Sequence, residues 1–387
     1  MYESKRTYLA FTIKILELVN MWTEKRGFLF LLRQYYALII VIGSTIAIMT
    51  DLLLQFYDEH SHFTSIIESA IGGSALLSVI YVSTCFILKK EEIKRLIDSL
   101  KVFEDYLPED EIDKAEKSAK FYTKTFLFYG IIGNGLYEAS PFMSFKECRG
   151  ERTQQMIKLG IPCKVIVRYV LPFKYDTTPF YELVILEQVA VAILGTILVM
   201  TISMLVCGIL THIASNLNYL KKIIEDISRV EETKLKDHVN LCIKYHTIIL
   251  EISDKTNNAF EGMMLIHITW TSFIISVLGF GIIMESNFWN NLRFVMHLGG
   301  WLMMLFLVCF YGQILMDKST DISEAIYGTK WYEKNPNIRR ALTLLLLRSQ
   351  RPLVLKAAGL RIMSLSTFLG VLYSAYSYFT LLLKIKP

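Results

Sequence analysis

Six cysteines, seven histidines and 36 carboxylates are the residues of this 387-residue sequence that could hold a metal or move protons. Their spacing fits neither chemistry. Cys85, Cys148, Cys163, Cys207, Cys242 and Cys309 form no CxxC pair and no Cys/His grouping at zinc spacing, so no metal is expected. There is no phosphate-binding Walker loop, no Gly-x-Ser-x-Gly elbow, no HExxH and no pair of carboxylates spaced for acid/base work, so neither a catalytic residue nor a cofactor is expected. Cys85, Cys207 and Cys309 sit in apolar runs, where cysteine behaves as a small hydrophobe. His267 and His297 lie in apolar helical runs too, and are expected to be neutral and hydrogen-bonded.

Two other patterns carry chemistry of a different kind. Ser366, Gly370, Ser374, Ser377, Leu381 and Lys384 follow at steps of four, four, three, four and three, which puts them on one stripe of a helix. A small, polar strip on an apolar helix suits a water-filled path that a leucine near one end closes by dewetting, and it equally suits close helix packing. Gly130, Gly133 and Tyr137 recur at i, i+3 and i+7, two absent side chains beside an aromatic ring. Such a notch accommodates a small apolar molecule or lets a neighbouring helix approach.

These patterns need long apolar helices to position them, and the composition supplies them. Apolar residues make up 53% of the chain and charged residues 20%, against about 25% charged in soluble domains. The expected fold is therefore a single all-α integral membrane domain over residues 1–387. Seven stretches are long enough to cross about 30 Å of hydrocarbon: Tyr35–Leu54, Ile66–Leu88, Phe121–Ala139, Leu183–Leu210, Met263–Met284, Phe294–Met316 and Ile362–Leu383. The third is the weakest, with Lys124 and Glu138 near its ends. No basic tract interleaved with aromatics appears, so nucleic acid is not an expected partner.

Lys and Arg sort by side, 29 with the amino-terminal segment and alternate loops against ten in the others, leaving aside Lys124 in the third span and Arg361 at the edge of the seventh. Because such residues accumulate in cytoplasmic loops, the amino terminus is expected in the cytoplasm and the carboxyl terminus outside. That is the reverse of a G-protein-coupled receptor, and neither Asp-Arg-Tyr in the third span nor Asn-Pro-x-x-Tyr in the seventh is present. No proline breaks a firm span, against a transporter with broken helices. In this frame Asp51 and Glu68 lie near outer ends and are expected to reach towards the interface, while Glu187, a turn inside the fourth span, could face a pocket. Cys148 and Cys163 share an outer loop, where the redox compartment permits a disulfide.

The carboxyl-terminal third carries Ser319, Ala325-Ile326-Tyr327 before Trp331-Tyr332, Arg339-Arg340, Arg348-Ser349-Gln350-Arg351-Pro352, Leu365-Ser366 followed by Phe368, and Ser377-Tyr378-Phe379-Thr380-Leu381-Leu382. This ordered string resembles the end of an insect odorant receptor. Gustatory receptors end in Thr-Tyr, five apolar residues and Gln-Phe, which this sequence lacks. The short segment Ser215–Asn258 departs from the shared odorant co-receptor, whose corresponding loop holds a large insertion, so the chain resembles an odorant-specific tuning subunit.

The resemblance implies a heterotetrameric, odorant-gated, non-selective cation channel formed with co-receptor subunits in the plasma membrane of a sensory neuron dendrite. It implies a pocket for a small hydrophobic volatile in the outer half of the second to sixth spans, with Ser69, Gly73 and Leu77, Gly130, Gly133 and Tyr137, Val189, Ala190 and Ile193, and Phe280 and Met284 as wall candidates. Residues 1–34 would be a cytoplasmic segment. Residues 317–361 would be a cytoplasmic helical anchor between subunits, with Trp331, Tyr332, Arg348, Gln350 and Arg351 at the contact. Leu342, Leu345 and Leu346 alternate there with arginines as in an amphipathic helix, which could instead lie on lipid headgroups. Residues 362–387 would line the pore through Ser377, Leu381, Leu383 and Lys384, the two leucines competing for the gate.

Overall fold

A backbone in hydrocarbon has only itself to hydrogen-bond, and six of the seven apolar stretches accordingly lie wholly in one unbroken helix, the seventh from Leu365 onwards. The structure, a computed structural model, describes residues 7–22, 28–57, 63–143, 154–163 and 165–385. The spans fall in α2 (Phe28–Tyr57), α3 (Phe63–Ser99), α4 (Glu109–Met143), α6 (Phe180–Glu225), α7 (Glu232–Met284), α8 (Phe288–Gly328) and α10 (Leu365–Ile385). Three shorter helices complete the set among the described residues: α1 (Ala10–Leu18), α5 (Gln154–Leu159) and α9 (Pro336–Ser349). Six of the long helices are apolar and long enough to cross a membrane. The exception is α4, the helix that carries Lys124 and Glu138, yet it packs inside the bundle against α6 and α8.

The helices outrun the membrane. At about 1.5 Å per residue, the 53 residues of α7 reach about 80 Å, more than twice the hydrocarbon thickness. The surplus lies at the end where Lys and Arg concentrate, where the tails of α3, α6 and α8 and the start of α7 form a second bundle continuous with the first. Its core holds Ile93, Leu96, Leu220, Ile224, Leu235 and Val239, all buried. Helix α1 lies across this bundle on α6 and α4, and the Leu9 backbone N–H donates to Glu116 Oε1 at 2.7 Å.

Local chemistry sets the helix ends. Asn287 caps α8, its Oδ1 accepting from the N–H groups of Trp289 at 2.8 Å and Asn290 at 3.2 Å. Asn335 caps α9 with Pro336 at the first helical position, where a missing N–H costs nothing. Helix α9 buries Ile338, Leu342 and Leu345 against α8 and α7. Its apolar face is thus covered by protein, which removes the alternative of a helix lying on headgroups through that face.

The seventh span begins later than expected. Arg361–Ile362 is strand β2, paired antiparallel with β1 (Lys356–Ala357), so Ile362 belongs to a hairpin and the helix starts at Leu365. Hydropathy reads Ile362 and Met363 as span because it registers apolarity and not the turn at Gly359, whose φ of +70° only glycine adopts freely. The Met363 carbonyl then lies against Gly312 of α8, where any side chain would collide with it.

His246 sits 4% exposed in the extension of α7, and burial, assisted by the Arg348 guanidinium, lowers its imidazole to about 4. A proton therefore binds the opened form more tightly than the packed one. Stability is full above the ordinary histidine value of about 6.5 and falls as pH drops towards 4, by about 2 kcal/mol at pH 5. Hydrogen-exchange protection factors, corrected for the intrinsic pH dependence of exchange, should fall in α9 and the adjoining part of α7 between pH 7.5 and pH 5, and His246→Phe should flatten that dependence. Unchanged protection in the wild type would contradict the assignment.

Candidate ligand-binding site

At the end of the bundle opposite the basic extension, α3, α4, α6 and α8 diverge around a cavity of about 190 Å³. Gly72, Leu76 and Val79 of α3, Val191, Gly195, Val199 and Met200 of α6, and Met296, Gly300, Trp301 and Met304 of α8 make most of the wall. Helix α4 contributes Tyr129, Gly130, Gly133, Asn134 and Tyr137. The loop before α6 closes one side with Ile166, Val167 and Tyr169. That loop is tied down by Gln188, which accepts from the Ile166 N–H at 3.1 Å and donates to the Val167 carbonyl at 2.7 Å, and by the Val170 N–H, which donates to the Ala47 carbonyl of α2 at 3.2 Å. Burial, with the Glu187 carboxylate beside it, pushes the Tyr169 phenol above its ordinary range.

The α4 notch falls on this wall, and its two glycines do different things. A Cβ at Gly130 would strike the Met200 side chain and meet Thr196 at 3.4 Å, so Gly130 permits close approach of α6. A Cβ at Gly133 would meet nothing within 4 Å, so Gly133 opens onto empty space.

The other wall candidates lie off the cavity. On α3, Ser69 is buried and donates to Asp51 at 2.7 Å, Gly73 faces Met49 and Ile48, and Leu77 is exposed. On α6, Ala190 and Ile193 point outwards and Val189 is half-buried, while Gln188, Val191, Ala192 and Gly195 take the wall. The error is one of helical phase: where every face is apolar, hydropathy does not say which face turns inwards. From α7, Phe280 is packed in the core and Met284 lies against it, and α8 takes their place. The spacing of Met296, His297, Gly300, Trp301 and Met304, with its paired glycines, was the available signal in α8.

The ionisable residues turn inwards instead of reaching the interface. Asp51 is buried and accepts hydrogen bonds from Ser69 and Gln55. Glu68 pairs with Arg293, a residue counted above as a loop cation but only 3% exposed in α8. Arg293 stands behind Tyr137, its guanidinium carbon 5.3 Å from the ring centroid. Glu187 accepts from the Ser44 hydroxyl and lies off the cavity wall. His297 packs edge-on to Tyr137 at 5.7 Å and accepts from Trp301 Nε1 at 3.0 Å, and His267 bonds the Ser203 hydroxyl at 3.1 Å.

Away from the cavity, α10 turns Val371 and Ala375 into the bundle and leaves Ser366, Ser374, Ser377, Leu381 and Lys384 exposed. Leu383 is also exposed, on a different face from Leu381. Near α9, Trp331 packs against the core, while Tyr332, Arg348, Gln350 and Arg351 are exposed. Cys163 is disulfide-bonded, and Cys148 lies outside the described residues, as do the first six residues and the last two.

The sequence model of the 7tm Odorant receptor family matches residues 63–376, from α3 into α10. The chain is 28% identical to Odorant receptor 85b of Drosophila melanogaster over 217 residues, 55% of each chain. It is 26% identical to Odorant receptor 49a of the same species over 174 residues, 44% of each chain. These matched stretches span about half the length of those relatives, whereas the match to Odorant receptor 82a, at 23% identity, covers 80% of this chain and 82% of that one. The fold is similar to that of the insect olfactory receptor OR5 from Machilis hrabei, solved in complex with eugenol, with a TM-score of 0.80 at 16% identity over 98% of both chains. From the family match, with seven continuous helices in register with the expected spans, it follows that this multi-pass membrane protein belongs to the 7tm odorant receptor family.

Proposed function

We propose that the chain is the odorant-specific subunit of a heteromeric, ligand-gated, non-selective cation channel, assembled with odorant co-receptor subunits in the plasma membrane. The observation that carries this reading is the apolar cavity beneath a tethered loop, lined by Gly133 and Tyr137, at the end that the charge asymmetry assigns to the outside. Its few polar groups among many apolar ones suit a small hydrophobic volatile, and a receptor of similar fold was solved in complex with eugenol.

The rest of the surface supports assembly. The α10 stripe of Ser366, Ser374, Ser377, Leu381 and Lys384 is exposed about a third of a turn from the face that α10 buries, which leaves it free to form a wall with other subunits. At the basic end, exposed Tyr332, Leu344 and Leu347 interleave with Arg348, Gln350 and Arg351, a surface of the mixed aromatic, aliphatic and arginine kind that subunit contacts use.

Three outcomes follow. Coexpression with the co-receptor should give an odorant-evoked cation current that persists without GTP, with an amino-terminal tag reached by antibody only after permeabilisation. Comparable currents from this chain alone, or a tag stained on intact cells, would remove the heteromeric, inverted reading. Gly133→Ala adds a methyl group to open space, so it should leave surface expression unchanged and shift sensitivity towards smaller volatiles, losing about threefold to tenfold for the largest agonist. An unshifted size profile would detach Gly133 from the ligand. Lys384→Gln should raise calcium permeability relative to sodium without moving the half-activating odorant concentration, because a positive charge in the path repels divalent ions most. A fixed permeability ratio would displace α10 from the conduction path.

A further inference from the structure

The cavity wall is unbalanced in its hydrogen-bonding groups. Each of its sp² side-chain acceptors already accepts one bond: Asn134 Oδ1 from the Thr196 hydroxyl at 3.3 Å, Gln188 Oε1 from the Ile166 N–H, and His297 Nε2 from Trp301 Nε1–H. The Tyr129 hydroxyl donates to the Met296 carbonyl at 2.6 Å and the Ser78 hydroxyl to the Ala75 carbonyl at 2.7 Å. The spare groups are donors. The Tyr137 hydroxyl makes no hydrogen bond among the described residues, and the Asn134 amide retains its N–H groups after its oxygen is taken. These two residues are three apart on α4, on the same face as Gly130 and Gly133. Because Trp301 donates to Nε2, the neutral His297 ring carries its proton on Nδ1, a further N–H without a partner, closed within the wall.

Arg293 biases Tyr137 further. The guanidinium over the ring face draws electron density from the ring and strengthens the phenol as a donor relative to its use as an acceptor. Arg293 is itself held by Glu68 and lies against the Phe294 ring at 5.0 Å, so it stays in place behind the wall and neutralised. It is a positioning residue for Tyr137 and does not line the cavity.

Resting on the receptor reading above, we infer that the cavity selects volatiles that carry a hydrogen-bond acceptor and no donor, namely ketones, esters or aldehydes, bound through Tyr137 and Asn134. A carbonyl satisfies the spare donors and leaves nothing of its own unpaired. An alcohol brings an O–H that must share an acceptor already engaged or turn to a hydroxyl, and a hydrocarbon leaves both donors stranded.

Two matched triplets test this in cells expressing the full chain with the co-receptor: 2-heptanone, 2-heptanol and 1-octene, then acetophenone, 1-phenylethanol and α-methylstyrene. The ketone of at least one triplet should activate at about tenfold lower concentration than its partners. Tyr137→Phe should raise the ketone's half-activating concentration about threefold to tenfold while moving the alkene less than about twofold, and Asn134→Leu should act in the same direction. Alkenes or alcohols as the better agonists, or equal shifts for ketone and alkene in both variants, would overturn the inference and leave the receptor reading standing. Silence towards all six compounds from a chain that antibody finds at the cell surface would count against the receptor reading itself.

Discussion

Hydrocarbon offers no hydrogen bond, and that constraint sets both the shape of this protein and the location of its chemistry. Each span must close its own backbone bonds, so it becomes a long unbroken helix. Even the hydroxyls follow the rule: Thr201 and Ser203 donate to the carbonyls of Ile197 and Val199 in the preceding turn. The larger polar groups have no such local option and turn towards one another. Asp51 finds Ser69 and Gln55, and Glu68 finds Arg293. Polar pairs are thereby gathered inside the bundle close to the cavity.

The helices fail to close at the cavity because of α6. Through its middle this helix is buried continuously, from Leu198 to Leu210, against α4, α8 and α7. Towards its start it carries Gly195, which lies against Val79 of α3, and Thr196, close to Gly130 of α4, and the same cavity is lined by Gly133 of α4 and Gly300 of α8. Small residues on three neighbouring helices remove more volume than one close approach can recover. Met200 fills the space over Gly130, and nothing fills the space over Gly133. The cavity is the remainder, roofed by a loop that Gln188 holds.

The legibility of this arrangement in the sequence divides along the same physical line. Span existence was readable because crossing a bilayer demands about 20 apolar residues, and the stretches around Leu183–Leu210 and Met263–Met284 could be little else. Rotation about each helix axis was not. In a water-soluble helix the polar face announces which side is outside, but α3 and α6 are apolar all round, so Gly73 and Val189 could not be told from Gly72 and Val191. Gly130, Gly133 and Tyr137 were legible because absent side chains mark a face regardless of hydropathy. Asp51 and Glu68 were misread as interfacial because their partners, Ser69 and Arg293, come from other helices, and single-helix reasoning does not see them.

The arrangement also makes one helix common to the cavity and the proposed pore. Trp301 and Met304 of α8 face the cavity, and within two turns Phe306 stacks on Phe310 and meets the ring of Phe368 on α10 edge-on at 5.6 Å. Beyond them, Gly312 lets the Met363 carbonyl lie directly against the helix just before α10 begins. Coupling between two sites requires an element on which both bear, and packed interiors transmit displacement because they have no slack to absorb it. Helix α8 meets that requirement twice, through the aromatic contact and through the backbone contact at Gly312. The Arg293–Glu68 pair ties its second turn to α3, so a displacement of α8 at the cavity would have its pivot near Arg293 and its consequence at Phe368.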